Sequence, residues 1–346
     1  MKVLVLANVT PFMYGGADYH IEGLTAALHL QGHETLCLRL PFNYHRHGDI
    51  ASLMEFCDGL DLSQPNGVRI DTLISLQFPT YGVLHDDHCV WIMHQHRGAY
   101  DLYQSADASP EDTALRMRIQ DFDNRALERV QRRFANSARV AERLSQYNGI
   151  AAEPLYHPPP APERFYTARP QGYLFFPSRL ETLKRQDLLI EAARYLRTPV
   201  VFLLAGDGGQ RPRCEQLIAK LGVGDRVRLL GRVNEAEKRT FYANSLGVFY
   251  GPRDEDYGYV TLEAMLSAKP VITCTDSGGP LEFVRHNETG LVVPPDAQAI
   301  AAAADHLYRD QACARHLGLA GRRRYDTLGI SWERVVHRLL GRAQPT

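Results

Sequence analysis

Short apolar runs alternate with amphipathic helix patterns along most of this chain of 346 residues. The first run spans residues 3–7, and a helix pattern over residues 21–30 separates it from a second run at residues 35–40. A continuous apolar run of this length is typical of a parallel strand buried on both faces. Strands that alternate with helices predict a doubly wound parallel α/β sheet, and such sheets bind ligands beyond the carboxyl ends of their strands.

A proline-rich stretch at residues 156–162 marks the clearest change in composition. Proline fixes a backbone angle and lacks an amide donor, so the stretch cannot continue a helix or a central strand and predicts a linker. After it the alternation restarts, with strands predicted at residues 173–176, 200–205, 227–230, 247–250, 271–274 and 291–293. We therefore predict a Rossmann-like domain at residues 1–165, a second at 166–325, and a C-terminal helix at 326–346 that packs back toward the first. The two sheets are expected to face a central cleft.

The balance of charge and the cysteine pattern exclude several classes of protein. The chain carries 39 basic and 40 acidic side chains, whereas proteins that bind nucleic acid usually show a basic excess that neutralises phosphates, so no nucleic-acid partner is expected. The six cysteines form no C-x-x-C pair, which argues against a zinc or redox site. No apolar run reaches the roughly 18 residues of a membrane span, so we predict a cytoplasmic protein.

A helix predicted at residues 114–134 combines an apolar face with six arginines. A basic amphipathic helix is typical of contact with anionic lipid, but the acidic residues among the arginines favour a helix that packs on the core and exposes a solvated face. We favour the second interpretation and keep weak peripheral contact with the inner face of the membrane as the alternative. Asp121 and Asp123 spell D-x-D inside this helix rather than after a strand, so we assign them no metal role.

Arg179 and Lys184 follow the strand predicted at residues 173–176 and precede a helix. Arginine offers a planar fork of donors and lysine a compact charge, and both suit a diphosphate at the carboxyl end of a strand. The amides of a helix N-terminus add to the attraction for an anion. The alternative interpretation is a solvated basic loop.

Gly206, Asp207 and Gly208 open a loop after the strand predicted at residues 200–205. The spelling matches neither G-x-G-x-x-G nor a P-loop, which excludes a dinucleotide or NTPase motif. Glycines at this place let a ligand approach the backbone closely, or they simply serve a tight connection. The sequence leaves both interpretations open.

Glu255 and Glu263 are separated by seven residues, the first in a loop and the second on the first turns of a helix. Carboxylates accept hydrogen bonds from hydroxyl groups, so one suits the hydroxyls of a donor sugar and the other a ribose diol. Backbone amides near Gly258 and Val260 can reach phosphates. The pair therefore predicts a site for a sugar nucleotide.

In their order along the chain, these motifs resemble those of the retaining glycosyltransferases of family four. In the second half the resemblance rests on Arg179 and Lys184, Ala205-Gly206-Asp207-Gly208, Leu230-Gly231-Arg232-Val233, Glu255 and Glu263, and Gly278-Gly279-Pro280-Leu281-Glu282. In the first half it rests on Gly15-Gly16, Gly32-His33-Glu34 and His94. The resemblance covers nearly the whole chain and is more specific in the second half.

The resemblance implies a GT-B fold, a nucleotide-activated sugar donor and transfer with retention of the anomeric configuration. It implies that Arg179 and Lys184 bind the diphosphate, Glu263 the ribose and Glu255 the donor sugar. No cofactor or divalent metal is expected, since the two cations take over the electrostatic role of a metal. The expected partners are a UDP- or GDP-sugar donor and a saccharide, lipid-linked saccharide or small glycosyl acceptor, in cell-surface polysaccharide or glycoconjugate biosynthesis.

The resemblance assigns further donor contacts to loops around these four residues. Gly16, next to Gly15, would let its loop approach the donor phosphates, and the segment Gly231, Arg232 and Val233 would contact the base. The remaining donor-binding candidates are Gly206, Asp207, Tyr257, Gly258, Tyr259 and Val260. One departure affects donor preference, because many family members carry Gly-Phe-Gly where this chain has Asp256-Tyr257-Gly258 and thus an added negative charge.

His94 opens a polar segment, His94-Gln95-His96-Arg97, after the apolar run at residues 89–93. A lone histidine is more often structural, but the end of a strand and the resemblance favour an active-site role, hydrogen bonding to the donor sugar rather than general-base catalysis. Acceptor contacts are expected in loops at residues 43–49 and 100–107. His45-Arg46-His47 is spelled like a metal site but has no partner ligand in evidence, so we interpret it as a solvated acceptor-side loop.

Other functions are compatible with the same fold. A phosphorylase or a sugar-nucleotide epimerase would use phosphate or a bound nucleotide instead of a saccharide acceptor, and the paired glutamates argue against both. A non-catalytic sugar-nucleotide-binding subunit is a third possibility, and the presence of all four charged residues argues against it. The sequence does not indicate which sugar is transferred, which base carries it, which acceptor receives it or which oligomeric state the protein adopts.

Overall fold

The chain divides at His157, inside the proline-rich stretch. The computed structural model describes residues 1–44 and 46–341. Unit 1 contains Met1–His157 together with the segment that begins at Ser331, and unit 2 contains Pro158–Ile330. The boundaries predicted at residues 165 and 325 fall inside unit 2, which therefore also holds residues 158–165 and 326–330.

Unit 1 is built on a six-stranded sheet in which every neighbouring pair of strands is parallel. The strands are β1 (Lys2–Val9), β2 (Glu34–Pro41), β3 (Thr72–Ser75), β4 (His88–Ile92), β5 (Arg132–Ala135) and β6 (Glu153–Pro154). Their spatial order is β2-β1-β3-β4-β5-β6. The winding direction reverses between β1 and β3, as in a doubly wound sheet.

Four helices precede the linker: α1 (Gly16–Leu30), α2 (His47–Asp58), α3 (Pro110–Arg129) and α4 (Ala138–Asn148). The prediction of a helix at residues 114–134 is wrong at both ends, because α3 spans Pro110–Arg129. It begins earlier because Ser109 caps α3 by accepting a hydrogen bond of 3.1 Å from the amide of Asp112. It ends at Arg129 because Arg132–Ala135 pair with β4, and this tertiary pairing outweighs the helical spacing of Phe134.

The arginines of α3 bind acidic side chains of α2. Arg118 contacts Glu55 at 2.9 Å, and both Arg125 and Arg129 contact Asp58, at 3.2 and 3.0 Å. The basic face predicted from the sequence is therefore largely paired within unit 1. Among the described residues, no helix combines the length and apolarity needed to cross a bilayer.

The two aspartates of the D-x-D spelling lie in different environments on α3. Asp121 pairs with Arg125 at 3.1 Å near the surface, with 71% of its side chain exposed. Asp123 is fully buried and accepts hydrogen bonds of 2.6 Å from the hydroxyls of both Tyr81 and Tyr100. The pair thus shares no ligand-binding face.

Unit 2 repeats the parallel architecture with six further strands. These are β7 (Tyr173–Pro177), β8 (Val201–Ala205), β9 (Val227–Gly231), β10 (Gly247–Phe249), β11 (Val271–Cys274) and β12 (Gly290–Val293). All six strands predicted for this half are confirmed, each within one residue at either end. The spatial order is β12-β11-β10-β7-β8-β9, so the winding direction reverses between β7 and β10. Loops that follow β7 and β10 therefore meet at the switch point, where doubly wound sheets bind ligands.

Seven helices flank this sheet: α5 (Gln186–Ala192), α6 (Arg211–Leu221), α7 (Glu235–Asn244), α8 (Tyr259–Leu266), α9 (Pro280–Phe283), α10 (Ala297–Arg309) and α11 (Gln311–Thr327). Short 3-10 helices lie at Pro65–Gly67, Thr80–Gly82, Arg97–Ala99, Pro162–Arg164, Thr182–Lys184 and Ala193–Tyr195. The sheet is the core of the unit, since every residue of β7 is buried.

The last helix, α12 (Trp332–Leu339), lies in unit 1 although it follows unit 2 in the sequence. Val335, Val336 and Leu339 are buried in the same apolar cluster as strand β1. The ring of Trp332 stacks on His157, with an interplanar angle of 9° and 5.6 Å between ring centres. The chain therefore completes the core of its first unit with its last helix.

Candidate functional site

The best-defined cluster of charged side chains lies where the loops after β7 and β10 meet. Lys184, in the 3-10 helix after β7, forms an ion pair with Glu255, in the loop after β10. The hydroxyl of Tyr250 donates a hydrogen bond of 2.7 Å to Oε2 of the same glutamate. The structure thus brings two predicted site residues into direct contact, and Tyr250, which was not predicted, is a third member of the cluster.

Tyr250 is buried beside this ion pair. Burial, the charge of Glu255 and its hydrogen bond raise the pKa of the Tyr250 phenol well above its ordinary value, and Asp256 and Glu263 act in the same direction. The hydroxyl therefore stays protonated at neutral pH and remains a hydrogen-bond donor.

Glu263 is almost fully buried on α8, with 4% of the residue exposed. Lys238 donates a hydrogen bond of 2.9 Å to its Oε1, and Tyr242 donates one of 2.7 Å to its Oε2. Each carboxylate oxygen carries two lone pairs, so one partner apiece leaves acceptor capacity for a ligand hydroxyl. The carboxylate is thus held rigidly and can still accept from a diol.

A second ion pair holds the backbone next to Lys184. Arg185 adopts a left-handed conformation with φ of 57° and binds both carboxylate oxygens of Asp276 at 2.7 and 2.5 Å. This contact keeps the pKa of Asp276 below its ordinary value, because the guanidinium favours the ionised carboxylate. The loop after β7 is thereby tied to the loop after β11.

Arg179 forms an ion pair with a different carboxylate. Its side chain is 51% exposed and pairs with Glu181 at 3.0 Å. The predicted diphosphate pair of Arg179 and Lys184 is therefore divided between an exposed position and a partly buried one. Both remain on the loop that follows β7.

Two glycines are required by the backbone around these charged residues. Gly258 has φ of 85° and begins α8 directly after the loop of Glu255. Gly206 has φ of 139°, and a Cβ atom there would overlap the carbonyl of Ser178. The crowding at Gly206 comes from the protein's own chain, which supports the structural alternative for this loop.

The loops predicted to contact phosphate and base are joined by backbone hydrogen bonds. The amide of Gly206 donates to the carbonyl of Gly231 at 2.7 Å, and the amide of Leu180 donates to that of Asp207 at 3.0 Å. Arg232 is 88% exposed and lies 3.8 Å from the carboxylate of Asp207. The carboxyl ends of β7, β8 and β9 thus form one continuous rim, on which Val233 is half-buried.

The loop that departs from the family pattern is largely packed against the core. Tyr257 is buried and contacts Phe283 and Tyr259 edge-on, with ring centres 5.7 and 5.6 Å away. Val260 is also buried, whereas Tyr259 is half-buried. Donor contacts of Tyr257 and Val260 would therefore come from their backbone.

The predicted residues of unit 1 lie at the ends of its parallel strands. His94 is half-buried two residues after β4, and its Nδ1 lies 2.8 Å from the carbonyl oxygen of Gln95. Gly15 caps α1, and its amide donates a hydrogen bond of 2.8 Å to Asp18, while Gly16 is the first helical residue. A Cβ atom at Gly15 would contact nothing within 4 Å.

The proposed metal-like spelling at residues 45–47 lies partly outside the described residues, because His45 is not among them. His47 contacts Asp112 at 3.1 Å. Within residues 1–44 and 46–341, no group of three or more His, Cys, Asp or Glu is placed to hold a metal ion.

Three residues that sequence reasoning missed complete the site: Tyr250, Lys238 and Tyr242. Tyr250 could have been found from its position, because it directly follows β10 and precedes Gly251. Lys238 and Tyr242 could have been paired from their spacing, since residues four apart on a helix lie on one face. Their target could not be inferred from that spacing, because it lies on another helix.

The fold matches solved glycosyltransferase structures. The structure of HepE of Anabaena in complex with UDP and glucose superposes with a TM-score of 0.72 at 18% identity, covering 99% of this chain and 98% of that one. The structure of sucrose-phosphate synthase from Thermosynechococcus elongatus gives a TM-score of 0.78, also at 18% identity, with coverage of 99% and 98%. Two parallel six-stranded sheets with flanking helices thus define a GT-B protein, as predicted.

Residues 164–324 match the model of the family described as "Glycosyl transferases group 1". The alpha-1,3/1,6-mannosyltransferase of Homo sapiens is 29% identical over 182 residues, which are 47% of this chain and 44% of that protein. Residues 164–324 therefore form a domain of the group 1 glycosyltransferases, which confirms the resemblance of the motifs in the second half of the chain. The chain spans less than half the length of this curated relative.

Proposed function

We propose that the chain is a retaining glycosyltransferase that moves a sugar from a UDP- or GDP-sugar to a saccharide, a lipid-linked saccharide or a small glycosyl acceptor. The observation that carries the proposal is the ion pair between Lys184 and Glu255 at the switch point between β7 and β10. A cation at this switch point can bind the diphosphate of a nucleotide sugar, and a carboxylate beside it can accept hydrogen bonds from the hydroxyls of the sugar ring.

Lys184 would stabilise the diphosphate leaving group. Negative charge develops on that group as the bond to the sugar breaks, and a cation held in place beforehand stabilises it without reorganisation. Glu255 and Tyr250 hold the lysine ammonium at the site before the donor arrives. Arg179, on the same loop, supplies a second and more mobile donor for the phosphates.

The two glutamates would bind different hydroxyl groups of the donor. Glu255 accepts from the donor sugar, and Glu263, already oriented by Lys238 and Tyr242, accepts from the ribose diol. We assign His94 a hydrogen bond to the donor sugar, from its position after β4. Arg232, Gly231 and Val233 form the rim on which the base would rest.

We further propose that transfer needs no divalent metal and retains the anomeric configuration. The cations of Arg179 and Lys184 support metal independence, because they supply the charge that a metal would otherwise place on the diphosphate. The resemblance to the retaining glycosyltransferases of family four supports retention. The mannosyltransferase relative supports a role in glycoconjugate or polysaccharide synthesis.

The test is transfer by the purified chain from a panel of UDP- and GDP-sugars, with and without EDTA, to a panel of neutral saccharides. We expect Lys184→Ala to abolish turnover and Glu263→Ala to weaken donor binding, while Lys220→Ala, at an exposed lysine of α6, leaves both unchanged. NMR of the product should show the anomeric configuration of the donor.

Each other outcome points to a different conclusion. Unchanged turnover in both site variants would refute the proposal, and loss of activity in EDTA would refute metal independence. Phosphate-dependent sugar release or epimer formation would favour a phosphorylase or an epimerase. Donor binding without hydrolysis or transfer would favour a non-catalytic subunit.

A further inference from the structure

A cavity of about 270 Å³ opens in unit 1 beside the carboxyl end of β4. Its wall combines residues that are far apart in sequence. Tyr44 and His47, the first residue of α2, lie on one side, and Tyr103 and Asp107 come from the loop before α3. His96, two residues after His94, also lines it. The fold thus brings described residues of the two predicted acceptor segments to one concave surface.

Aromatic rings and apolar side chains form much of this surface. The rings of Tyr44 and His96 are stacked, with an interplanar angle of 28° and 6.3 Å between centres. Tyr103 lies under the guanidinium of Arg116, 4.5 Å from the ring centre. The apolar remainder comes from Ile50, Leu115 and Ile119, with smaller contributions from Gly98 and Ala99. Such flat apolar surfaces suit the carbon-bound hydrogens on one face of a sugar ring.

Polar groups also line the cavity. Both ring nitrogens of His96 are buried and have no hydrogen-bond partner within the described residues. Burial lowers the pKa of His96 to about 4, so the imidazole is neutral at pH 7 and adds no charge to the wall. The exposed carboxylate of Asp107 adds acceptors. A hydroxyl-bearing ring finds here both an apolar face and hydrogen-bond partners.

The charges at the cavity favour a neutral ligand over an anionic one. The carboxylates of Asp107 and Asp112 both line it, and they repel a phosphate or a second carboxylate. The one guanidinium, that of Arg116, already donates a hydrogen bond of 3.0 Å to the carbonyl of Ala99 and covers the Tyr103 ring. A phosphorylated acceptor would therefore have to break existing contacts.

We propose that this cavity binds a neutral pyranose ring of the acceptor. The volume of about 270 Å³ is just below the range of roughly 300–1,000 Å³ of pockets that hold drug-sized ligands, which is enough for one sugar ring. The inference rests on the proposed function, because it names the acceptor class of that reaction. It assigns Tyr103 as a stacking residue and Asp107 as a hydroxyl acceptor.

The test measures binding of methyl pyranosides to the full chain by saturation-transfer NMR, with glucose 6-phosphate and inositol phosphate as anionic probes. We expect neutral pyranosides to bind and the anionic probes to bind more weakly. Tyr103→Ala should lower pyranoside affinity by about tenfold, as truncation of a buried aromatic anchor usually does. Tyr195→Ala in unit 2 is the matched control, because Tyr195 is also covered by an arginine, Arg194.

A second pair of variants separates loss of binding from loss of folding. Gly98 lines the cavity, and a Cβ atom there would meet His96 only at an ordinary distance of 3.5 Å. Gly98→Leu should therefore fill the cavity, abolish pyranoside binding and leave the melting temperature nearly unchanged. Asp107→Asn should weaken the binding of pyranosides, because it removes a carboxylate acceptor. It should strengthen the binding of the anionic probes, because it removes a charge that repels them.

Donor hydrolysis without acceptor distinguishes this inference from the proposed function. If the chain hydrolyses a nucleotide sugar but binds no methyl pyranoside, or binds it equally in Tyr103→Ala and Gly98→Leu, the cavity is not the acceptor site. Stronger binding of the anionic probes would overturn the assignment as well. If no nucleotide sugar is bound or hydrolysed, the proposed function fails, whatever the cavity binds.

Discussion

Lys238 lies one turn before Tyr242 on α7, and both side chains donate to Glu263, at 2.9 and 2.7 Å. Glu263 is almost fully buried, and an ionised carboxylate at that depth is tolerated only when it is paired and hydrogen-bonded. The two donors also fix the plane of the carboxylate. Lys238 is therefore a positioning residue for the donor site that we propose.

We expect Lys238→Met to raise the KM for the nucleotide sugar by about tenfold and to change kcat little. In the proposed function Glu263 binds the ribose, whose contacts are the same in the ground state and the transition state, so a misplaced carboxylate weakens binding of the donor in both states. A hydrogen bond to a charged group is worth about 1.5–3 kcal/mol, which corresponds to tenfold or more. The measurement is steady-state kinetics with the donor varied. Lys238→Arg should restore most of the donor affinity, and an unchanged KM in Lys238→Met would exclude the positioning role.

The hydroxyl of Tyr250 is expected to matter for turnover rather than for folding. Tyr250→Phe removes the hydrogen bond of 2.7 Å to Glu255 and leaves the ion pair with Lys184 without its third member. We expect kcat/KM to fall by about tenfold. Tyr173→Phe is the control, because it removes a hydrogen bond of 2.8 Å to the carbonyl of Phe241 in the same unit. Equal kinetic losses in the two variants would show that Tyr250 acts only through stability.

The sequence predicted the strands of unit 2 and the placement of Lys184 and Glu255 after two of them. Buried parallel strands are apolar along their whole length, so their runs stand out against the amphipathic helices. The ion pair itself was not predicted, because it depends on β10 lying next to β7. The spacing of residues along the chain does not determine the order of strands in a sheet. The motif resemblance identified Lys184 and Glu255 as site residues, and the fold shows that they contact each other.

The same reason explains the errors in unit 1. Phe134 falls at helical spacing with Phe122 and Leu127, so periodicity alone assigned it to the helix. Its burial in β5 follows from pairing with β4, a contact between segments far apart in sequence. Likewise, Lys238 and Tyr242 carry the i, i+4 spacing of one helical face, but their target lies on another helix.

The ion pair between Arg185 and Asp276 is expected to hold Lys184 in its catalytic position. Asp276→Asn keeps the shape of the side chain but removes the charge and one of the two acceptors for Arg185. We expect kcat to fall by about tenfold with a smaller change in donor KM, because in the proposed function Lys184 stabilises the charge of the leaving group.

The control for this variant is Glu288→Gln, which breaks an exposed ion pair of 3.5 Å with Arg285 in the same unit. Exposed pairs contribute little to stability, so the control should match the wild type in both kinetics and melting temperature. An Asp276→Asn variant with normal kcat would show that the loop after β7 keeps its conformation without this contact.

Asp123 is expected to make the stability of unit 1 depend on pH. Burial raises its pKa to about 7, although the hydroxyls of Tyr100 and Tyr81 act in the opposite direction. An unfolded aspartate titrates near 3.9, so between about pH 4 and pH 7 the folded chain holds a proton that the unfolded chain releases. The free energy of unfolding therefore falls as pH rises through this window, by at most about 4 kcal/mol, and is flat above it.

We expect Asp123→Asn to remove this dependence, because an amide side chain does not titrate and can replace the protonated carboxyl group between the two tyrosine hydroxyls. The variant should match the wild type at or below about pH 4 and become the more stable protein as pH rises to 8. Both tryptophans of the chain, Trp91 and Trp332, lie in unit 1, so urea unfolding followed by their fluorescence reports on this unit. Asp121→Asn, two residues away and exposed, should retain the wild-type slope. Parallel pH profiles for the wild type and Asp123→Asn would place the pKa of Asp123 near that of an ordinary carboxyl group and contradict the prediction.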